Sequence, residues 1–173
     1  MLPVEDLINC RGLLALNRSN RSLLEKSSLI DGTQWTIDFS FDQIKKLAQY
    51  MGVFEVGPRT VLFPENEKQA YLVLIAKGRV DVVKFDSSRL PKKITTLGPG
   101  KTIGEMSLID GEPRSAAAVT ATDATLLVMT ADDFDRLNRD LPGIGILLVL
   151  KIAKQMSQYL RQTSGRLIDH LGA

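Results

Sequence analysis

Residues Ile103–Ala116 read IGEMSLIDGEPRSA, and the chain concentrates more chemistry there than anywhere else. Gly104 has no side chain, so its backbone can be approached closely. Glu105 sets an anion beside it. Met106–Asp110 suits one short helical turn, whose first amides would lack intrahelical partners and favour an anion. Gly111 permits a sharp exit, and Pro113 restrains the chain just before Arg114. Arg114 supplies a planar fork of donors suited to phosphate, and Ser115 adds a hydroxyl. One segment thus offers Glu105 to a sugar hydroxyl and Arg114 to a phosphate. The plain alternative for such a Glu and Arg is a surface ion pair.

Short runs rich in β-branched residues surround this segment: Thr60–Phe63, Tyr71–Ala76, Arg79–Phe85, Lys93–Leu97, Ser115–Thr120 and Ala124–Met129. Turn signals separate them at Gly57-Pro58, Pro64-Glu65-Asn66, Lys77-Gly78, Asp86-Ser87-Ser88, Gly98-Pro99-Gly100 and Asp110-Gly111. Such spacing predicts a β sandwich or barrel. Leu72 and Leu74, and Val80 and Val82, alternate as half-buried strands require.

Helical patterns flank the strands. Ser40 is placed to cap a helix over Phe41–Met51, with Gln43 completing a capping box and Ile44, Leu47, Ala48 and Met51 on one face. Val4–Leu16 predicts an earlier helix, and Asn17–Ser22 (NRSNRS) a polar loop. Thr130 is placed to cap a helix over Ala131–Asn138, and Pro142 suits the first turn of a longer helix to about Thr163. The apolar stripe of that helix is Ile146, Val149, Leu150, Ala153, Met156 and Leu160.

The 173 residues accommodate one compact domain with helical extensions. A formal charge of +2 argues against a nucleic-acid binder on composition alone. Cys10, the single cysteine, excludes an internal disulfide and a thiolate cluster and reads as a small buried residue in a reducing cytoplasm. No secretory leader is evident at Met1–Asp6, and the longest apolar run, Ile144–Leu150, is far below the roughly 18 residues of a membrane helix. His170, the lone histidine, has no partner constellation, and no nucleophile elbow, phosphate loop or metal-ligand set is present. The reading is therefore of a non-enzyme without metal.

The Ile103–Ala116 segment resembles the phosphate-binding cassette of cyclic-nucleotide-binding domains of the catabolite activator protein and protein kinase A regulatory-subunit type. That pattern runs aromatic or aliphatic, Gly, Glu, aliphatic, small, Leu, aliphatic, three variable residues, Pro, Arg, small, Ala. It is met by Ile103, Gly104, Glu105, Met106, Ser107, Leu108, Ile109, Asp110-Gly111-Glu112, Pro113, Arg114, Ser115 and Ala116. Gly78-Arg79-Val80-Asp81-Val82 is similar to the Gly-x-Val-x-Val strand of the family, and Gly98-Pro99-Gly100 to the turn before the cassette. Phe134 and Pro142 fall where the family places its short helix and the start of its long one, so the likeness spans about Phe41–Ser164. Glu65-Asn66-Glu67 departs from the usual Glu-Gly-Asp, a structural turn.

The resemblance implies an α+β fold: a mainly-β jelly roll or β-roll of about eight strands, N-terminal helices and a long C-terminal helix. It divides the chain into a helical extension (1–40), a binding domain (41–164) and a tail (165–173). Glu105 would take the ribose 2′-hydroxyl; Arg114, with Ser115 and the Ala116 amide, would take the cyclic phosphate. Ile103 and Ser107 fill their cassette positions, Gly104 and Met106 line the sugar, and Val82, Ile94 and Leu97 pack on the base. Tyr159 is the first candidate to cap the base, ahead of Gln155, Gln158 and Thr163. Ser115 favours cyclic AMP, with cyclic GMP the alternative ligand because a serine hydroxyl can also serve guanine. The implied function is a stand-alone cytoplasmic sensor that signals to an effector protein through its C-terminal helix, with a homodimer through that helix. The alternative is the ligand-binding part of a catabolite-activator-type transcription regulator. With the chain ending at Ala173, about ten residues past the expected helix, no DNA-binding domain is expected within it.

Overall fold

The computed structural model of the chain describes residues 7–8, 12–33 and 35–171. Cys10 and the His170 side chain lie outside the described residues. Ser22 caps a helix, α1 (Leu23–Asp31), and Ser40 caps α2 (Phe41–Ala48), each with its third residue, Glu25 or Gln43, closing a capping box. Eight strands follow: β1 (Gly52–Val56), β2 (Val61–Phe63), β3 (Tyr71–Lys77), β4 (Val80–Phe85), β5 (Pro91–Leu97), β6 (Thr102–Ile103), β7 (Ala117–Thr120) and β8 (Ala124–Thr130). A short helix, α3 (Glu105–Asp110), interrupts them. The chain closes with α4 (Ala131–Asp140), capped by Thr130 as expected, and α5 (Pro142–Leu171).

The strands form two four-stranded sheets, ordered β1-β8-β3-β6 and β2-β7-β4-β5, with antiparallel pairing throughout. This is the jelly-roll order. Strand alternation explains how the first sheet serves two cores. Leu72, Leu74, Leu127 and Met129 face the helices, packing with Ile44, Leu47, Leu148 and Ile152. Their neighbours Tyr71, Val73, Ile75, Leu126 and Val128 face inward against Leu62, Val80 and Ala118 of the second sheet. The outer face of that second sheet is covered at Val83, Ala117 and Val119 by Leu7.

Three expectations change. Of the helix expected over Val4–Leu16, Leu7 and Ile8 are helical, but Leu13–Ala15 form a separate 3-10 turn. Gly12, at φ 66°, breaks any continuous helix there. The long helix continues past Thr163, so residues 165–171, expected as a tail, extend α5; no proline intervenes to end it. The stripe that docks α5 is Ile144, Leu148 and Ile152, each burial contributing roughly 1.5–3 kcal/mol. The expected stripe faces outward at Ile146, Val149, Leu150 and Leu160, and only Met156 packs partly on the core. Apolar residues surround the helix over its first turns, so periodicity did not choose between the faces.

Candidate functional site

Two left-handed glycines bracket α3: Gly104 at φ 81° and Gly111 at φ 73°. Gly104 follows β6, whose Ile103 and Thr102 pair with Val73 and Leu74. Its missing side chain serves a packing need. A Cβ there would collide with the Arg114 guanidinium and sit 2.7 Å from the Tyr71 carbonyl oxygen. The direction a Cβ would take is filled from within, while Gly104 also lines the cavity at this site.

Arg114 is 2% exposed. Its Nη1 donates to the Gly104 carbonyl at 2.8 Å. The guanidinium lies 4.1 Å from the Phe63 ring centre and 4.3 Å from that of Tyr71, rings themselves packed edge to face. The Tyr71 hydroxyl donates to Leu62 O at 2.6 Å, which fixes the ring. The departing turn holds the Arg114 backbone: Asn66 N donates to Arg114 O at 2.8 Å and Arg114 N donates to Glu67 O at 2.9 Å. Asn66 adopts φ 67°, so asparagine replaces the family glycine in a left-handed conformation it tolerates.

Burial lowers the Arg114 pKa from the usual arginine range, against the opposing pull of Tyr71, Glu67 and Glu105. Nε and Nη2 have no protein partner. Glu105 is 6% exposed, and burial raises its carboxyl above the ordinary range, opposed by its own backbone N–H, the Thr102 hydroxyl and Arg114. Its Oε2 also lacks a partner. Buried polar atoms of this kind are rare in folded proteins, and here a cation and an anion each leave donors or acceptors open.

All twelve residues expected at the site line one cavity of about 370 Å3. Val82, Ile94 and Leu97 form an apolar wall on β4 and β5, with Ile94 at the rim, 51% exposed. The opposite wall is the cassette, where the Ser115 hydroxyl lies 3.9 Å from Met106 Sδ and the Ser115 carbonyl accepts from Lys84 Nζ. Tyr159 closes the α5 side, with Gln158 and Thr163 beside it. Burial and the Glu105 charge push the Tyr159 phenol up to about 12. Gln155 is not in the wall. It is buried and donates to Thr102 Oγ1 at 2.7 Å and to Tyr159 Oη at 3.1 Å, anchoring α5 to β6.

Sequence reading missed Phe63, Tyr71, Thr102 and Lys101. The aromatic pair sandwiches Arg114 across 43 or more positions of chain, and no local spacing encodes that meeting. Among the described residues, no group of three or more His, Cys, Asp or Glu could hold a metal ion, and no helix is long and apolar enough to cross a membrane.

Comparison with known proteins agrees with this geometry. Residues 53–140 match the family model described as "Cyclic nucleotide-binding domain". The cyclic AMP receptor protein of Thermus thermophilus is 32% identical over 97 residues, 56% of this chain and 45% of that protein. A cyclic nucleotide-gated potassium channel of Rhizobium etli is 37% identical over 84 residues, 49% of this chain and 22% of the channel. The chain thus spans under half the length of either relative. Among solved structures, a cyclic nucleotide-binding domain from Methylobacillus flagellatus superposes with a TM-score of 0.74 at 27% identity, covering 84% of this chain and 82% of that one. The Thermus thermophilus catabolite activator protein superposes with a TM-score of 0.68 at 26% identity, covering 77% of this chain and 61% of that one.

Proposed function

Because the chain belongs to the cyclic nucleotide-binding domain family, we propose that it is a cyclic AMP sensor whose ligand occupies the cavity between the cassette and α5. The observation behind this reading is the pairing, in one cavity, of buried Arg114 with two open donors and buried Glu105 with an open acceptor. Arg114 takes the cyclic phosphate, aided by Ser115 and the Ala116 amide. Glu105 takes the ribose 2′-hydroxyl, and the base lies on Val82, Ile94 and Leu97 under Tyr159. The deciding experiment is calorimetric titration with cyclic AMP, cyclic GMP and linear AMP. Saturable binding of cyclic AMP, stronger than of the other two, is the expected result; no binding of either cyclic nucleotide sinks the reading.

Replacing Glu105 by Ala is expected to abolish the preference for cyclic AMP over its 2′-deoxy analogue, because the hydroxyl then loses its charged acceptor. The check is a pair of titrations, and an unchanged preference moves the ribose contact elsewhere. Tyr159→Ala is expected to speed ligand release roughly 5- to 50-fold, the scale of a base–aromatic stack. Stopped-flow dissociation measures it, and an unchanged off-rate removes Tyr159 as the cap.

The signal passes through α5, since Tyr159 and its anchor Gln155 lie on that helix. A change in the ligand cavity then shifts the outward face, where Ile146, Val149, Leu150 and Leu160 are exposed. A homodimer or an effector protein seated on that face reads the shift. A second reading, favoured by the match to the Thermus cyclic AMP receptor protein, makes the chain the ligand-binding part of a transcription regulator. The length of the native gene discriminates the two.

A further inference from the structure

A second cleft, of about 310 Å3, adjoins the first and shares Lys101 and Gln158 with it. Its walls come from three distant parts of the chain: Trp35 in the connection between α1 and α2, Lys101 after the β5–β6 turn, and Lys151 and Lys154 on α5. The two α5 lysines are three apart and share a helix face. The turn and the connection are packed without slack, for a Cβ on Gly100 would lie 2.5 Å from the Thr33 carbonyl oxygen.

The walls carry an excess of positive charge. Lys151 Nζ is 3.3 Å from the Asp38 carboxylate, which is more than half exposed. Among the described residues, neither Lys101 nor Lys154 is within ion-pair distance of a carboxylate. Trp35 adds an independent sign. It is 4% exposed, and its buried indole N–H has no acceptor, a state folded proteins seldom leave uncompensated.

We propose that this cleft is a second small-molecule site, one for a phosphate-bearing polyanion. Lysine ammonium groups bind phosphate as point charges and leave its orientation free. Three of them on two elements, the β5–β6 turn and α5, suit a ligand with several negative oxygens, and the unpaired indole N–H of the Trp35 wall is a further donor. Such a ligand bridges the α1–α2 connection, the turn and α5. The site stands independently of the cyclic nucleotide reading, because none of Trp35, Lys151 and Lys154 lines the first cavity.

Trp35 is the only tryptophan in the chain, so its fluorescence reports on the cleft directly. Titration of the whole chain with pyrophosphate should produce a saturable change in emission, and sodium chloride at matched ionic strength should not. The double substitution Lys151→Gln, Lys154→Gln should raise the pyrophosphate midpoint by about ten-fold or more. Within α5 Lys154 is exposed and Lys151 partly so, and a melting curve checks that the variant folds. Trp35→Phe keeps an aromatic side chain and removes the N–H; by calorimetry it should weaken pyrophosphate by about three-fold or more. A wild-type response that is absent, or reproduced by chloride, overturns the site. So does a pyrophosphate midpoint unmoved by the lysine substitutions, which would put the anion at Arg114 instead.

Discussion

Arg114→Ala is expected to weaken cyclic AMP binding by about 2–4 kcal/mol, roughly 30- to 1,000-fold in Kd. The phosphate loses its charge-assisted donors inside a cavity where water cannot fully replace them. The structure adds a second consequence. Arg114 is among the largest fully buried side chains, held between Phe63 and Tyr71. Truncation leaves a void between two rings and removes the donor to Gly104 O. Relief of guanidinium burial opposes this loss without refilling the void, so the ligand-free melting temperature should also fall. Arg114→Lys separates the two effects. It keeps a charge and much of the volume but loses the planar fork, so it should melt closer to wild type while binding far more weakly. Calorimetry on both variants checks the result; wild-type affinity in Arg114→Ala would remove Arg114 from the phosphate, and in Arg114→Lys would remove the need for its planar fork.

Gly104→Ala is expected to damage fold and site together. The position sits at φ 81°, where an alanine costs about 1–2 kcal/mol. The added Cβ also strikes the Arg114 guanidinium and the Tyr71 carbonyl. The carbonyl belongs to a strand bonded on both sides, to β6 and β8, and cannot withdraw. The guanidinium must move instead, breaking its stack. A fall of roughly 5–10 °C in melting temperature is expected, from a total cost of about 2–3 kcal/mol. Ligand affinity should fall with it, by about ten-fold or more. Gly111→Ala is the control. It has a similar φ of 73° but open space around it, so it should carry the conformational cost without the collision. Equal melting temperatures and affinities for the two variants would refute the packing role of Gly104.

Much of the helical frame was legible because its signals are local. Ser40 with Gln43, and Thr130, mark helix starts through contacts three residues long. Ser22 with Glu25 carries the same signal, but Ser22 reads in sequence only as the end of the polar loop Asn17–Ser22, which leaves α1 after it unplaced. Strands with alternating or β-branched runs were equally visible, whereas β1 and the two-residue β6 were not. Strand β6 exists only because β3 is there to pair with it.

The linear chain sufficed for the chemistry of the cassette, since Gly104, Glu105, Arg114 and Ser115 lie within twelve positions and their functional groups are intrinsic. It sufficed too for the mixed α+β class, through periodicity and turn residues. Only the folded arrangement decided that Arg114 is buried between Phe63 and Tyr71, and that Gly104 is required to make room for it. It alone decided which face of α5 docks, and that Trp35 lines one cleft with Lys101, Lys151 and Lys154. Those outcomes depend on contacts between residues tens of positions apart, whose energies arise only once two sheets and a helix have packed.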